Sequence, residues 1–412
     1  MVVHIRSRIS ILVLVLTCLW ACDDRSRGQD IVVLNFDGAV DMEIDASVPV
    51  DQGRSELLGD AVLSTSGACA PPTGGPFVHG RAYIDVNRSD RSTYTGGPDE
   101  SDEPFEPELN LVAAETGAVN VETCSDGTYK IGPLTAGTYL VQHELESARR
   151  CTTSNCPGRF SRKIAAGETP VMLTFGDSIA VIGDRPLFPD RVKTLFSGLT
   201  DIDSRNVAVG GSTSIDWLPD GPYFERRLGG ELAEADLIIV TIGGNDLLRY
   251  VSRIGIPNDI PAALEGARAV VLQVIDNVTQ ILDAIREVNP DADIAYCLYA
   301  DYSQATEDLV WGLIGSILGP DAVGEVLRLA REQFPTDDPN IVLVDLFGAA
   351  QGLPLHDYLY DELHFNDLGH TLYAEEVFET LGGVLLGPNP LGDTGKTPLG
   401  LRRNYGVAPS EQ

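Results

Sequence analysis

Val171-Met172-Leu173-Thr174-Phe175-Gly176-Asp177-Ser178-Ile179 is the segment from which the architecture of this chain is inferred. A short apolar run bounded by a glycine and an acid is typical of a strand covered on both faces of a parallel sheet. In open α/β sheets, ligands bind beyond the carboxyl ends of the strands, and Ser178 stands at such an end. The serine is therefore a candidate nucleophile, although serine in a turn also commonly caps a helix.

The segments after Ser178 alternate between strand and helix patterns. Four more short segments are predicted as strands, at Asp203–Ala208, Asp236–Ile242, Asp293–Leu298 and Ile341–Leu346. Amphipathic runs predict helices, at Asp190–Ser197, Pro261–Glu287, Gly324–Phe334 and Gly369–Leu381. With Val171–Phe175 as the first strand, this alternation predicts an α/β fold around a largely parallel sheet.

A second polar cluster, Asp361-Glu362-Leu363-His364, precedes the last predicted helix. A serine hydroxyl becomes an effective nucleophile when a base accepts its proton, and a carboxylate orients that base and stabilises its charged form. An aspartate three residues before a histidine supplies both groups, whereas such a pair alone is more often a surface pair or a cap. The three residues Ser178, Asp361 and His364 form a candidate triad in that order.

Two glycine-containing clusters follow the second and third predicted strands. They are Asn206-Val207-Ala208-Val209-Gly210-Gly211-Ser212 and Thr241-Ile242-Gly243-Gly244-Asn245-Asp246. Each cluster taken separately is explained by a turn or a helix cap. Acyl transfer generates an oxyanion, which backbone N–H groups and an asparagine amide stabilise, and glycine lets the backbone approach closely. The shared position at strand ends therefore favours a catalytic role.

The ordered set Gly-Asp-Ser-Ile, Asn-x-x-x-x-Gly, Gly-x-Asn-Asp and Asp-x-x-His resembles the SGNH hydrolase family, the GDSL-type esterases and lipases. The resemblance covers Val171–Leu381. It implies a flavodoxin-like three-layer sandwich with a mostly parallel five-stranded sheet. It also implies hydrolysis of carboxylic esters of lipids, glycans or small molecules through an acyl-enzyme intermediate, without a cofactor. Ile179 stands where many members carry leucine, which is a volume-conserving change.

The resemblance implies a role for each site residue. Ser178 corresponds to the nucleophile, His364 to the base and Asp361 to the acid that orients it. The oxyanion donors correspond to the backbone N–H of Ser178, the backbone N–H of Gly211 and the side-chain amide of Asn245. Gly210 is the second choice for the glycine.

The sequence does not fit two other classes of hydrolase, and one non-catalytic class is the alternative. An α/β-hydrolase elbow needs Gly-x-Ser-x-Gly, which the chain lacks. His79, His143 and His356 show no metal-ligand spacing, so no metal is expected. The alternative from a different class is a non-catalytic surface lipoprotein that binds a glycan or a protein.

The long segment Asp301–Asp338 contains a mostly apolar stretch, Leu309–Leu318. Its pattern favours a helix of the core. A lid or an acyl-binding wall near the site is the alternative.

The N-terminus has the parts of an export signal. Arg6 and Arg8 precede an apolar run, Ile9–Trp20, which is too short to span a bilayer comfortably. Leu19-Trp20-Ala21-Cys22 resembles a bacterial lipobox, which implies lipidation of Cys22; cleavage without lipidation and an uncleaved anchor are the alternatives. We therefore expect residues 1–22 to direct export to the bacterial cell envelope, with secretion if the chain is not lipidated.

Three further regions flank the α/β segment, which is assigned to residues 168–387. Residues 23–67 are acidic and lack periodicity, which predicts a flexible tether. Residues 68–167 contain short β-type runs, which predict a small all-β sandwich. Its Ser-Asp-Gly-x-Tyr and Leu-x-x-Gly-x-Tyr turns resemble bacterial carboxypeptidase-regulatory or Cna-B modules. Residues 388–412 are rich in proline and glycine and are predicted to be a disordered tail.

Four cysteines cluster ahead of the α/β segment, and in an exported chain they predict disulfides. Cys151 and Cys156 flank a Pro-Gly turn region and are predicted to pair, which leaves Cys69 with Cys124. A zinc site is the alternative, but no histidine pair joins these cysteines at ligand spacing.

The charge of the chain bears on its partners. The formal net charge is -32 at pH 7, which disfavours a phosphate backbone or an anionic membrane surface. Nucleic acid is therefore not expected as a partner. Membrane contact is expected only through the lipid anchor.

Overall fold

The computed structural model describes most of the α/β segment. The described residues are 158–302 apart from 256 and 258, then 305, 321–334, 338, 340–386 and 390–391, with short strands and loop positions between 78 and 144. Every described residue belongs to one compact unit of the fold. The predicted signal, the tether, Cys22, the predicted disulfide cysteines, the Leu309–Leu318 stretch and the predicted tail apart from residues 390–391 lie outside the described residues.

Seven short strands precede the α/β body. They are β1 (Val78–Arg81), β2 (Tyr83–Ile84), β3 (Glu103–Pro104), β4 (Glu108–Ala113), β5 (Val121–Thr123), β6 (Thr128–Ile131) and β7 (Gly137–Glu144). Strand β6 lies between β1 and β5, while β2 pairs with β3 and β4 pairs with β7, all antiparallel. The sandwich arrangement of this region stays a prediction, because much of it lies outside the described residues.

The α/β body contains the other strands and the helices. In chain order they are α1 (Arg159–Ala165), β8 (Val171–Gly176), α2 (Phe188–Phe196), β9 (Asp203–Asn206), β10 (Leu237–Thr241), α3 (Gly244–Ile254), α4 (Ile260–Val288), β11 (Asp293–Cys297), α5 (Ala322–Gln333), β12 (Ile341–Val344), α6 (Leu346–Ala349), α7 (Asp367–Thr380) and β13 (Gly383–Leu386). Each predicted strand and helix of this body is present, with ends that differ by one or two residues.

Five of these strands form one parallel sheet. Their order across the sheet is β12-β11-β10-β8-β9, and every neighbouring pair is parallel. Chain order therefore reverses direction between β8 and β10, which is the strand order of flavodoxin-like folds. The predicted α/β fold with a parallel five-stranded sheet is confirmed. Its ligand site is expected at the carboxyl ends of β8 and β10.

Helices cover both faces of this sheet. Successive residues of a strand point to opposite faces, and Ile239 and Ile238 of β10 accordingly belong to two different cores. On one face α2 and α7 pack through Phe196 and Phe378, whose rings lie 4.8 Å apart. On the other face α4 and α5 pack through residues such as Ile285. The body is thus a three-layer sandwich.

Four elements of the α/β body are absent from the sequence prediction, namely α1, α3, α6 and β13. Helix α1 is anchored beneath the sheet, because Lys163 Nζ lies 2.8 Å from the buried carboxylate of Asp236. Strand β13 pairs antiparallel with β7, in the register Gly383↔Leu140. The side chain of Leu140 is fully buried in the same core as Phe196. Strand β7 is therefore joined to the α/β body by both hydrogen bonds and packing.

The buried carboxyl of Asp293 predicts a pH-dependent stability. Burial raises the pKa of Asp293 from 3.8 to about 7, although it accepts a 2.8 Å hydrogen bond from the backbone N–H of Phe160. Because the folded pKa is raised, the folded protein holds the extra proton, and its stability declines as pH rises from about 4 to about 7. We expect Asp293→Asn to reduce this decline by up to about 4 kcal/mol, since one pKa unit corresponds to about 1.4 kcal/mol.

Urea unfolding midpoints between pH 4 and pH 8 check this prediction. The slope is reduced rather than abolished, because Asp177 also has a raised pKa. An Asp293→Asn variant with the same pH slope as the parent protein would contradict it. Asp291→Asn is the matched control, because Asp291 is exposed in the turn just before β11.

Candidate active site

The end of β8 positions Ser178 at the reversal point of the sheet. Gly176 has φ +134°, and a Cβ there would lie 2.0 Å from the carbonyl oxygen of Thr241 on β10. Only glycine permits this close approach of two backbones. The backbone N–H of Asp177 donates to that same oxygen at 2.8 Å. Ser178 then begins a short 3-10 turn, Ser178–Ala180, just beyond the two strands.

The side chain of Asp177 stabilises this turn by hydrogen bonds. Its side chain is 2% exposed, and it accepts hydrogen bonds from the backbone N–H of Ile179, at 3.1 Å, and from the Tyr299 hydroxyl. Burial raises the pKa of Asp177 to about 6, against the lowering effects of both hydrogen bonds and of His364. The carboxyl group therefore fixes the backbone on either side of Ser178.

Asp361 and His364 form a hydrogen-bonded pair. The Nδ1 atom of His364 lies 2.9 Å from Oδ1 and 2.8 Å from Oδ2 of Asp361. The backbone N–H groups of Leu363 and His364 also donate to Oδ1, at 2.8 Å and 2.7 Å. Partial burial alone would raise the pKa of Asp361, but these bonds and the His364 charge outweigh it and lower the pKa. The ionised carboxylate holds the proton of His364 on Nδ1 and leaves Nε2 to act as a base.

The loops that carry Ser178 and His364 lie against each other. A Cβ on Gly183, five residues after the serine, would lie 2.2 Å from the carbonyl oxygen of Phe365. The backbone N–H of Asp184 donates to that oxygen at 3.4 Å. Ser178 and Leu363 line one cavity, and the charge of His364 acts on Asp177. The structure thus brings the predicted base and the predicted nucleophile to the same rim of the sheet.

Asn245 lies in the first turn of α3, after β10. The helix begins where Gly243 takes φ +120°, and Asn245 and Ser178 line the same cavity. The Nδ2 atom of Asn245 donates to the carbonyl oxygen of Ser212 at 3.0 Å. An amide has two N–H donors, and the second has no partner among the contacts of the described residues. The bond to Ser212 therefore orients the amide and leaves one donor for a ligand.

The two glycines proposed for the oxyanion site lie in the loop after β9. A Cβ on Gly210 would lie 3.8 Å from the Cβ of Ser178, so this backbone passes beside the candidate nucleophile. Gly211 has φ +76°, and its carbonyl oxygen accepts a 3.0 Å hydrogen bond from Arg249. The structure thus places Gly210 beside Ser178, with Gly211 next to it in the same loop.

His370 lies near the site but is differently placed. It is fully buried on α7, and its Nε2 atom would lie 2.4 Å from a Cβ on Gly183. Burial lowers the pKa of His370 to about 4, with a further contribution from the charge of Arg191. The imidazole is therefore neutral at neutral pH, and it packs beneath the loop instead of facing Asp361.

Tyr299 is a site residue that the sequence reasoning missed. It follows the end of β11, at the same edge of the sheet as Ser178 and Asn245. Its position at a strand end is the signal that would have indicated it. Through its hydrogen bond to Asp177 it supports the turn that carries the serine.

A cavity of about 140 Å³ opens beside these residues. Ser178 and Asn245 lie at its edge, and its walls come from α3, α4, α5 and the ends of β10 and β11. Within the part of the chain that the structure describes, no three His, Cys, Asp or Glu side chains form a group suited to a metal ion. No helix among the described elements is long and apolar enough to cross a membrane.

The chain was compared with known proteins. Residues 174–372 match the GDSL-like lipase/acylhydrolase family. No curated protein sequence matches the chain. The lipase Lip_vut3 from a goat rumen metagenome is a similar solved structure, with 19% identity, a TM-score of 0.43, and coverage of 52% of this chain and 98% of that chain.

Two other solved structures are similar to the chain. Phospholipase A1 from Streptomyces albidoflavus NA297 has 16% identity and a TM-score of 0.41, over 52% of this chain and 99% of that one. A two-domain esterase (CEX) active on acetylated mannans has 16% identity and a TM-score of 0.33, over 56% and 54%. The family match spans the strand that leads to Ser178 and the pair Asp361 and His364. Residues 174–372 therefore belong to the GDSL-like lipase/acylhydrolase family, the SGNH hydrolases, whose members hydrolyse esters.

Proposed function

We propose that this chain is a serine esterase that hydrolyses carboxylic esters through an acyl-enzyme intermediate. The observation that carries the proposal is the Asp361–His364 pair, 2.8 Å apart, on the loop that lies against the Ser178 loop. A carboxylate, an imidazole and a serine at one strand-end site are the groups that acyl transfer requires. The substrates are acyl or acetyl esters of lipids, glycans or small molecules.

The reaction proceeds in two steps. The Oγ atom of Ser178 attacks the carbonyl carbon of the ester, and His364 Nε2 takes the hydroxyl proton. The carbon–oxygen bond of the leaving group breaks, and His364 returns the proton to the departing alcohol. Water then attacks the acyl-enzyme with His364 again as the base, which releases the carboxylic acid and restores Ser178. Asp361 stabilises the positive imidazolium in both steps.

The oxyanion of each tetrahedral intermediate is held by the backbone N–H of Ser178, by a loop glycine and by Asn245. Gly211 is the first choice for the glycine and Gly210 the second. These donors are fixed before the reaction by the hydrogen bonds described above, which lowers the cost of reorganisation in the transition state.

We expect Asn245→Ala to lower kcat for ester hydrolysis by about 100-fold or more, because one oxyanion donor is removed. KM should change little, since the bond forms mainly in the transition state. Steady-state kinetics with a soluble ester measure both values. Arg249→Ala is the matched control, because it removes another α3 hydrogen bond to the same loop, the one to the Gly211 carbonyl, without removing an oxyanion donor. Equal losses in the two variants would contradict the assignment of Asn245.

Labelling with a fluorophosphonate probe tests the proposed function directly. Such probes phosphonylate an activated serine, so intact mass and peptide mapping should show one adduct, on Ser178. An ester panel that varies acyl length and leaving group should show turnover by the same preparation. A folded protein without an adduct and without turnover would favour the non-catalytic surface lipoprotein, in which the N-terminal strands bind a glycan or a protein.

The proposed site of action is the cell envelope. Export rests on the sequence of residues 1–22, and lipid anchoring rests on Cys22. Metabolic labelling with palmitate in a bacterial host should tag the parent chain and leave Cys22→Ser untagged. A tagged Cys22→Ser variant would overturn the anchor and leave the esterase proposal untouched.

A further inference from the structure

The cavity beside Ser178 has walls that are almost entirely apolar. Its lining includes Leu247, Leu248 and Val251 from α3 and Ala267, Val271 and Val274 from α4. Residues of α5 and the end of β10 complete it. The polar groups Ser178 and Asn245 lie together where the sheet edge meets the cavity. The site therefore has a reactive polar end and an extended apolar compartment.

Two tyrosine hydroxyl groups in the wall already donate hydrogen bonds to the protein. The Tyr296 hydroxyl donates to the carbonyl oxygen of Ile242 at 2.7 Å, and the Tyr299 hydroxyl donates to Asp177. The ring of Tyr296 stacks on Phe334, with centroids 4.6 Å apart, which places a second aromatic side chain in the wall. A polar ligand group would find few partners there, because its lost hydrogen bonds to water would not be replaced.

Helix α3 leaves apolar surface uncovered at this cavity. None of its eleven residues, all of which the structure describes, is buried, although Leu247, Leu248 and Val251 face the cavity. By contrast, the cavity-lining residues Ala267, Val271 and Val274 of α4 are all buried. Since α3 also carries Asn245, the helix that supplies the oxyanion donor would be covered by the apolar part of a bound substrate.

From these observations we infer that the cavity binds the acyl chain of the ester and selects medium-length chains over acetyl. The inference rests on the proposed esterase function and specifies its substrate class. An apolar cavity of about 150 Å³ accommodates a six-carbon ring, and the cavity here has about 140 Å³. It therefore matches an acyl chain with about six carbons beyond the carbonyl.

The inference is tested with p-nitrophenyl esters from acetate to dodecanoate. Each buried methylene contributes about 0.8 kcal/mol, so kcat/KM should rise about fourfold per added methylene and level off near octanoate. The measured quantity is the ratio of kcat/KM for octanoate to kcat/KM for acetate. This ratio does not depend on the fraction of active protein in a preparation. A ratio of one or less in the parent protein would overturn the inference.

Two alanines of α4 provide a matched pair of variants. Ala267 is buried in the cavity wall, whereas Ala269 is exposed on the same helix. Ala267→Leu fills part of the cavity and should lower the octanoate-to-acetate ratio about tenfold or more. Ala269→Leu adds the same atoms to the solvent face and should leave the ratio as in the parent. Equal ratios in the two variants would overturn the inference.

A third variant changes the cavity in the opposite direction, so that the test does not depend on one substitution. Labelling of Ser178 distinguishes a failure of the acyl-cavity inference from a failure of the esterase proposal. Val271→Ala enlarges the cavity and should move the preferred chain length upward by one or two carbons. A variant in which the preferred length stays fixed would count against the cavity as the acyl site. Fluorophosphonate labelling of Ser178 is run on every variant. Labelling with a flat chain-length profile refutes the acyl cavity alone, whereas no labelling and no turnover refutes the esterase proposal.

Discussion

Replacement of Ser178 by alanine is expected to lower kcat for ester hydrolysis by about 10⁴-fold or more. The variant loses the only oxygen that can form the acyl-enzyme, and the oxyanion donors alone support a slow attack by water. The fold should be kept, because the interactions of this turn are made by the backbone. The carbonyl oxygen of Ser178 accepts hydrogen bonds from the N–H groups of Val181 and Ile182, at 3.0 Å and 2.8 Å, and alanine retains both.

Steady-state kinetics on a soluble ester measure the loss, and thermal unfolding shows that the variant is folded. Ser197→Ala is the matched control, because its hydroxyl only bonds the carbonyl oxygen of Thr194 at the end of α2. A Ser178→Ala protein with more than a small fraction of parental turnover would rule out the covalent mechanism.

Replacement of Asp361 by asparagine is expected to lower kcat by about 10³- to 10⁴-fold, through the tautomer of His364. The Oδ1 atom of Asp361 accepts two backbone N–H groups, so an asparagine keeps those bonds only with its oxygen at that position. Its NH₂ group then faces His364 Nδ1, where Oδ2 lies 2.8 Å away in the parent protein. That NH₂ group favours the tautomer in which the imidazole accepts at Nδ1 and carries its proton on Nε2, and this tautomer cannot take the proton of Ser178.

The change preserves shape, so KM and thermal stability should shift little while kcat falls. Asp357→Asn is the matched control, because Asp357 is exposed in the same segment and contacts Asn366 through its backbone carbonyl. Fluorophosphonate labelling of Ser178 should slow in Asp361→Asn and remain unchanged in the control. Unimpaired labelling and turnover in Asp361→Asn would show that the pair orients no catalytic base.

Strands β8, β10 and β11 were predictable because burial on both faces imposes a mostly apolar pattern, whereas β9 is an edge strand of polar residues, Asp-Ser-Arg-Asn. Each of the five predicted strands occurs, and Ser178, Asn245 and the Asp361–His364 pair all lie at the edge that strand ends define. Strand β9 ends at Asn206, two residues before its predicted end. The chain turns there because the side-chain oxygen Oδ1 of Asn206 accepts a hydrogen bond from the backbone N–H of Ala208. A hydrogen bond of this kind leaves no trace in the hydrophobic pattern of the sequence, so the pattern does not indicate where β9 ends.

The parts that were missed depend on distant packing. The sequence indicates a positive-φ bend at Gly243-Gly244 and a helix cap at Asn245-Asp246 but predicts no helix range there, and in the structure α3 begins at Gly244 with Gly243 at a positive φ. The cavity arises from the spacing of α3, α4 and α5, which no local periodicity encodes. Strand β13 is short and begins at the second of two glycines, and its partner β7 precedes it by more than 200 residues in the sequence.

The pairing of β13 with β7 has a practical consequence for anyone who wishes to shorten this protein. A fragment that starts at residue 168 keeps the whole parallel sheet. It lacks β7, however, and so leaves β13 without the strand to which it is hydrogen-bonded. The unpaired strand β13 would then expose backbone N–H and C=O groups, which promote association between molecules. Because β7 in turn pairs with β4, a self-contained fragment has to begin ahead of residue 108.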